Sequence, residues 1–205
     1  MEFVTVYTKC MGKGKFYIEK LNKLHQQNCY RNLSKEDNNE LIDLCSNDYL
    51  GLSADENLVN EFFSILEKND FLFSASSSRL LKKNFKVCNE FESFIAFSYK
   101  KEGCLLFNSG YHLNVGVISS LAKKQDLIIA DKYVHASIID GAKLSNAQFI
   151  RYRHLDYNHL ELLLQKNRNL YKNVFIISES LFSMDGDFAD LKACLLYTSP
   201  SPRDS

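Results

Sequence analysis

Four short apolar runs alternate with helix-like stretches between residues 103 and 180, and this alternation limits the fold more than any other feature of the chain. The runs are GCLLF (103–107), DLIIAD (126–131), AQFIRY (147–152) and NVFIISES (173–180). Between them lie NSGYHLNVGVISSLAKK, VHASIIDGAKL and LDYNHLELLLQKN, the last opened by Asp156 as an N-cap. Short buried strands separated by helices predict an α/β fold: a mainly parallel sheet with helices on both faces. In such a sheet, ligands bind beyond the carboxyl ends of the strands. That rule selects 108–111, 131–135, 152–155 and 178–187.

The first hundred residues read less regularly. Residues 1–45 are polar and mixed, with a weakly amphipathic helix near 15–30 and a solvated turn at 34–40. LIDLCS (41–46) is a strand candidate. At Ser53, SADE has the Ser-x-x-Glu form of a capping box, which predicts a helix through about Lys68. Val87, Phe91, Phe94, Ile95 and Phe97 follow helical spacing over 87–98.

Composition excludes several classes of function. Lys plus Arg is 25 and Asp plus Glu is 25, so no overall charge calls for nucleic acid or an anionic membrane. No stretch reaches the ~18 apolar residues of a membrane span, and the opening MEFVTVYTKCMGKGK lacks a signal-peptide core. A cytoplasmic protein is expected. The six cysteines, at 10, 29, 45, 88, 104 and 194, include no CxxC pair and read as reduced thiols. The P-loop, G-x-G-x-x-G, H-E-x-x-H and G-x-S-x-G patterns are all missing. The residues by themselves lead to an α/β domain that binds an anionic ligand.

Within the selected places, NSGY (108–111) puts Gly110 and Tyr111 at a strand-to-helix junction. This is either a plain turn or an anion seat built from free N–H groups at a helix start. His135, just past a strand, is either a satisfied structural histidine or a catalytic or stacking group. SESLFSMDGD (178–187) gathers Ser178, Glu179, Ser180, Ser183, Asp185 and Asp187, either as a hydrogen-bonded turn or as part of a site; no metal site is assigned.

Taken together, SNDYLGL (46–52), SSRLL (77–81), LLFNSGYHLN (105–114), ADKYVHASIIDGAKLS (130–145) and ESLFSMDGD (179–187) resemble the α-oxoamine synthases. These are aminotransferase-like enzymes of fold type I that use pyridoxal 5'-phosphate (PLP), and the biotin-synthesis branch is nearest. The resemblance implies a PLP-dependent decarboxylative condensation of L-alanine with pimeloyl-CoA or a pimeloyl-carrier protein. The products would be 8-amino-7-oxononanoate, CO2 and a free thiol. A relative such as glycine C-acetyltransferase is the alternative within the family, and a non-catalytic remnant of the fold is the alternative outside it. The parent is expected to be a homodimer.

By the same resemblance, Gly110 and Tyr111 would hold the PLP phosphate. His135 would stack on the pyridine ring and touch substrate. Ser183 would bond the cofactor with Glu179 beside it. Asn47 and Arg31 would meet substrate, and Arg79 would brace structure. Lys82 and Lys83 stand where the family has small residues, which bears on loop geometry.

The resemblance further implies a D-x-A-H motif and a Schiff-base lysine, neither of which these 205 residues contain. The only two prolines, Pro200 and Pro202, fall in CLLYTSPSPRDS. The expected organisation is therefore an N-terminal arm and part of a small domain (1–52), an incomplete large PLP domain (53–193), and a non-native disordered tail (194–205). A chain of this kind is expected to be nearly inactive.

Overall fold

The computed structural model describes residues 15–30, 46–66, 77–81 and 86–198, with side chains through Cys194. The chain divides into two compact units, Met1–Ala75 and Ser76–Ser205. Residues 41–45 of the strand candidate LIDLCS, Arg31 and the Lys82–Lys83 pair lie outside the described residues.

In the first unit, helix α1 spans Lys15–Gln26 and helix α2 spans Glu56–Ile65. The capping box expected at Ser53 does not form. Asp48 accepts the Ser53 hydroxyl at 2.5 Å and the N–H groups of Leu52 and Ser53 at 3.0 and 3.2 Å. Ser53 is thereby held in a 3-10 turn, Leu52–Ala54. Asp55 becomes the cap of α2, accepting from the N–H groups of Asn57 and Leu58. Gly51 turns the chain into this loop at φ +67°, a conformation that favours glycine.

The second unit holds α3 (Lys86–Ser98), α4 (Gly110–Leu121), β1 (Leu127–Asp131), α5 (Ala136–Leu144), β2 (Gln148–Tyr152), α6 (Tyr157–Asn167), β3 (Val174–Ile177) and α7 (Leu191–Thr198). The sheet is parallel throughout, in the order β2-β1-β3. Central β1 is buried along its whole length because both neighbours and both faces are covered. Alternation along it sorts the core into two layers. Leu127 and Ile129 pack with Leu160 and Leu164 of α6 and with Cys194 of α7. Ile128 and Ala130 face Ile118 of α4 and Ile138 and Ala142 of α5. The expected parallel sheet with helices on both faces is what the second unit contains.

Two further expectations need correction. GCLLF (103–107) is not a strand. Its Leu106 gives its N–H to Glu92 (2.7 Å) and its carbonyl to Arg79 (3.4 Å), so side chains take the groups that a neighbouring strand would use. Arg79 is fixed in turn by a two-point bond to the same carboxylate, 2.9 and 2.8 Å. At the other end, residues 194–198, expected to begin a disordered tail, continue α7, and Cys194 packs on the core.

Candidate functional site

Parallel pairing sets Asp131 opposite Tyr152 and Ala130 opposite Ile177, so the carboxyl ends of all three strands share one edge. The loops after these strands build the site. The loop after β1 turns on Asp131, which is wholly buried. Its Oδ1 accepts the Tyr133 N–H at 2.8 Å and faces His154 Nδ1 at 2.8 Å; its Oδ2 accepts the Leu155 N–H at 3.0 Å. One carboxylate thus ties the loop after β1 to the loop after β2.

That turn delivers His135 to the N-cap of α5. His135 Nδ1 accepts the Ser137 N–H at 3.2 Å and lies 2.7 Å from Ser137 Oγ, which itself accepts from Asn114 Nδ2 at 2.9 Å. With Asn114 donating to it, the Ser137 hydroxyl donates to Nδ1. This fixes Nδ1 as an acceptor and leaves the ring proton on Nε2. The backbone N–H of His135 donates to the Glu179 carboxylate, from the loop after β3.

Beyond Glu179 the chain folds into a hairpin. Phe182 N–H donates to the Asp187 carbonyl (2.9 Å), Gly186 N–H to the Phe182 carbonyl (2.8 Å), and Ala189 N–H to the Ser180 carbonyl (3.1 Å). Gly186 makes the turn at φ +74°. His135, Glu179 and Ser183 come together around one hollow of about 190 Å³, with Tyr133, Phe182 and Asp185 among the other residues of its wall. That volume suits a ring better than a whole drug-sized ligand, which fills roughly 300–1,000 Å³.

Gly110 and Tyr111 do not line the hollow. They open α4, where Ser109 caps by accepting the His112 N–H at 3.2 Å. The N–H groups of Gly110 and Tyr111 have no partner among the described residues, and a Cβ at Gly110 would meet nothing within 4 Å. The Tyr111 hydroxyl donates to Asp140 of α5 at 2.9 Å, and this bond to a carboxylate raises its pKa. Asn114 and Ser137 carry the connection from α4 to His135. Asn47 is exposed in the first unit, beside the Asp48 turn.

His154 was not singled out in the sequence, although the strand-end rule selected its segment. Its Nδ1 faces Asp131 at 2.8 Å and its Nε2 faces Asp187 at 2.9 Å. Tyr133 stacks on the ring at 4.4 Å and Phe182 meets it edge-on at 4.6 Å. Burial works against the charged ring, but the bonds to Asp131 and Asp187 outweigh it, and the pKa is raised. Asp187 keeps one buried oxygen, Oδ1, without a partner among the described residues.

A parallel sheet with a histidine, a serine and a carboxylate around a hollow at its carboxyl edge defines an α/β domain with its candidate site where the strands end. The chain belongs to the aminotransferase class I and II family, whose sequence pattern matches residues 39–195. Relatives provisionally named 8-amino-7-oxononanoate synthase are 46% identical over 187 residues in Neisseria gonorrhoeae and 45% identical over 185 residues in Haemophilus influenzae. These alignments cover 87% and 86% of this chain and 49% of each relative, so the chain spans about half the length of the curated relatives it matches. Among solved structures, serine palmitoyltransferase from S. paucimobilis with bound PLP–myriocin aldimine superposes with a TM-score of 0.75 at 27% identity, covering 93% of this chain and 52% of that one. An 8-amino-7-oxononanoate synthase from Francisella tularensis gives a TM-score of 0.59 at 32% identity, covering 77% and 42%. The fold is that of the PLP-dependent enzymes of fold type I.

Proposed function

We infer that this chain supplies the cofactor seat of a PLP-dependent acyltransferase that condenses L-alanine with a pimeloyl thioester, as the names of its relatives suggest. The observation that carries this reading is the meeting of His135, Glu179 and Ser183 around one hollow, although the first two stand 44 positions apart in sequence.

The residues present fit the group. The unpartnered N–H groups of Gly110 and Tyr111, at the positive end of the α4 dipole, would take the phosphate, and the absent Cβ at Gly110 leaves room for it to approach. The His135 ring, its Nδ1 occupied by Ser137, would lie against the pyridine, and the Ser183 hydroxyl would donate a hydrogen bond to it. When bound, PLP supplies an electron sink for a carbanion at the amino-acid α-carbon.

The work of this chain is to bind and orient. Glu179 holds the His135 backbone, and Ser137 and Asn114 hold its ring, so the stacking face is set before a ligand arrives. In this reading Arg31 and Asn47 contact substrate. The family's cofactor-bearing lysine lies in a motif that these residues do not contain. The chain by itself is therefore proposed to take PLP reversibly and to be nearly inactive.

Equilibrium dialysis of the chain against PLP, with pyridoxal as the control lacking phosphate, tests the seat. Saturable binding of PLP that exceeds pyridoxal at least tenfold is the expected result. Equal retention of the two would remove the phosphate seat from the reading.

A further inference from the structure

We propose that His154 is a positioning residue: an imidazolium bonded at both nitrogens, it ties the 180–189 hairpin to the end of β1, holds Phe182 and Ser183 at the hollow, and releases them when it loses its proton. The second half of this inference rests on the reading of the hollow as a PLP seat; the clamp itself does not.

The chemistry of the contacts requires the charge. A neutral imidazole has one N–H and one lone pair. Here both nitrogens face carboxylate oxygens, at 2.8 and 2.9 Å. Asp131 already accepts the backbone N–H groups of Tyr133 and Leu155, one on each oxygen, so both of its oxygens serve as acceptors. A neutral ring would set its lone pair against one carboxylate. Only the doubly protonated ring satisfies both, as two charge-assisted bonds.

The two carboxylates that face the ring favour this state and outweigh its burial. Asp131 approaches from β1 and Asp187 from the hairpin. Tyr133 stacks on one face, with Lys132 Nζ 5.9 Å from the centroid of the tyrosine ring. Phe182 stands edge-on. On the side of α6, Arg153 is paired with Asp156 at 2.9 Å, and His159 Nδ1 accepts the Arg153 N–H. The raised pKa of His154 agrees with the geometry.

The link to the hollow is short. Asp187 bonds His154 through its side chain and receives the Phe182 N–H on its carbonyl. Phe182 packs against the His154 ring, and Ser183 follows it into the wall of the hollow. Without the proton on Nε2, the hairpin keeps its own backbone bonds but loses its tie to the strand.

Asp187→Asn discriminates this role from simple packing. The asparagine amide can donate to a neutral Nε2, so the variant keeps the tie without the charge. His154→Gln assigns the ring signals in long-range ¹H–¹⁵N spectra of the chain. In the native chain, both His154 nitrogens are expected to show protonated shifts at pH 7. The amide shifts of Phe182, Ser183 and Gly186 are expected to titrate with the ring as pH rises. In Asp187→Asn the ring is expected to be neutral at pH 7, and those amides to stay put up to pH 9. In parallel, PLP affinity of the native chain is expected to fall about tenfold or more between pH 6 and 9 relative to Asp187→Asn, a comparison that cancels the cofactor's own titration.

A neutral His154 at pH 7 in the native chain, or hairpin amides that do not follow the ring, would overturn the clamp. Ring and amides that titrate together while PLP fails to bind at any pH would leave the clamp standing and overturn the PLP reading instead. Equal loss of PLP affinity in both proteins would overturn the role at the hollow.

Discussion

Gly141 brings α5 so close to α4 that a Cβ at its position would stand 2.7 Å from the carbonyl oxygen of Asn114 and 3.1 Å from Ile118 Cβ. The same Asn114 donates through its side chain to Ser137, which fixes the His135 ring. The spacing of the two helices and the orientation of the histidine are therefore one feature. Gly141→Ala is expected to force the helices apart and to cost about 1–3 kcal/mol, read as a lower urea midpoint. PLP affinity is expected to fall with it. An unchanged midpoint would mean that the helix contact yields at no cost.

Gly110→Pro tests the phosphate seat without dismantling the helix. Gly110 is the first residue of α4, where proline is tolerated. Ser109 before it is already extended, at φ −160° and ψ 156°, which is compatible with a following proline. The substitution removes one donor and places ring carbons in the space that the missing Cβ leaves open to the phosphate. A hydrogen bond to a charged group is worth roughly 1.5–3 kcal/mol, so PLP affinity is expected to fall about 10–100-fold while pyridoxal affinity is unchanged. Equal loss for both ligands in dialysis would place the phosphate elsewhere.

Ser183→Ala removes a hydroxyl from the wall of the hollow and leaves the backbone of the hairpin intact. One neutral hydrogen bond contributes about 1 kcal/mol, so PLP affinity is expected to drop roughly fivefold with no change in the urea midpoint. A variant that binds as tightly as the native chain would show that Ser183 does not reach the cofactor.

Asp126 predicts an acid weakness. It is nearly buried and joins three segments: its carboxylate accepts the Lys123 N–H and the Asn173 amide, each at 2.8 Å, as β1 begins. The Lys123 bond is the main cause that holds its pKa below the ordinary carboxylate range. A carboxyl group with a depressed folded pKa adds stability above its unfolded value, and that stability is lost as pH falls through the folded value. Urea midpoints are expected to hold from pH 7 to about 5 and to decline steadily below 4. Asp126→Asn is expected to be less stable at pH 7 and to show a shallower acid decline. Identical slopes in the two proteins would assign the acid sensitivity to other groups.

Much of the second unit was legible because its signals are local. The apolar runs around Ile128, Ile150 and Ile176 became strands, and Asp156 capped its helix by accepting the His159 N–H. Where distant side chains decide, the sequence misled. Ser53 looked like a cap until Asp48 took its hydroxyl, and Leu106 looked like a strand residue until Glu92 and Arg79 took its backbone groups. The places chosen at strand ends held His135, Glu179 and Ser183. The partnership of His154 with Asp131 and Asp187, 23 and 33 positions away, left no local trace. Two acidic residues and a histidine at three consecutive strand ends were the available signal.

The most direct measurement is a titration of the chain with PLP, followed by the amide spectra of Gly110, Tyr111, His135 and Ser183. One saturable site that moves all four amides, and that inorganic phosphate weakens by competition, is the expected result. Shifts confined to other residues, or no saturation up to millimolar PLP, would contradict the assignment of this edge of the sheet as the cofactor seat.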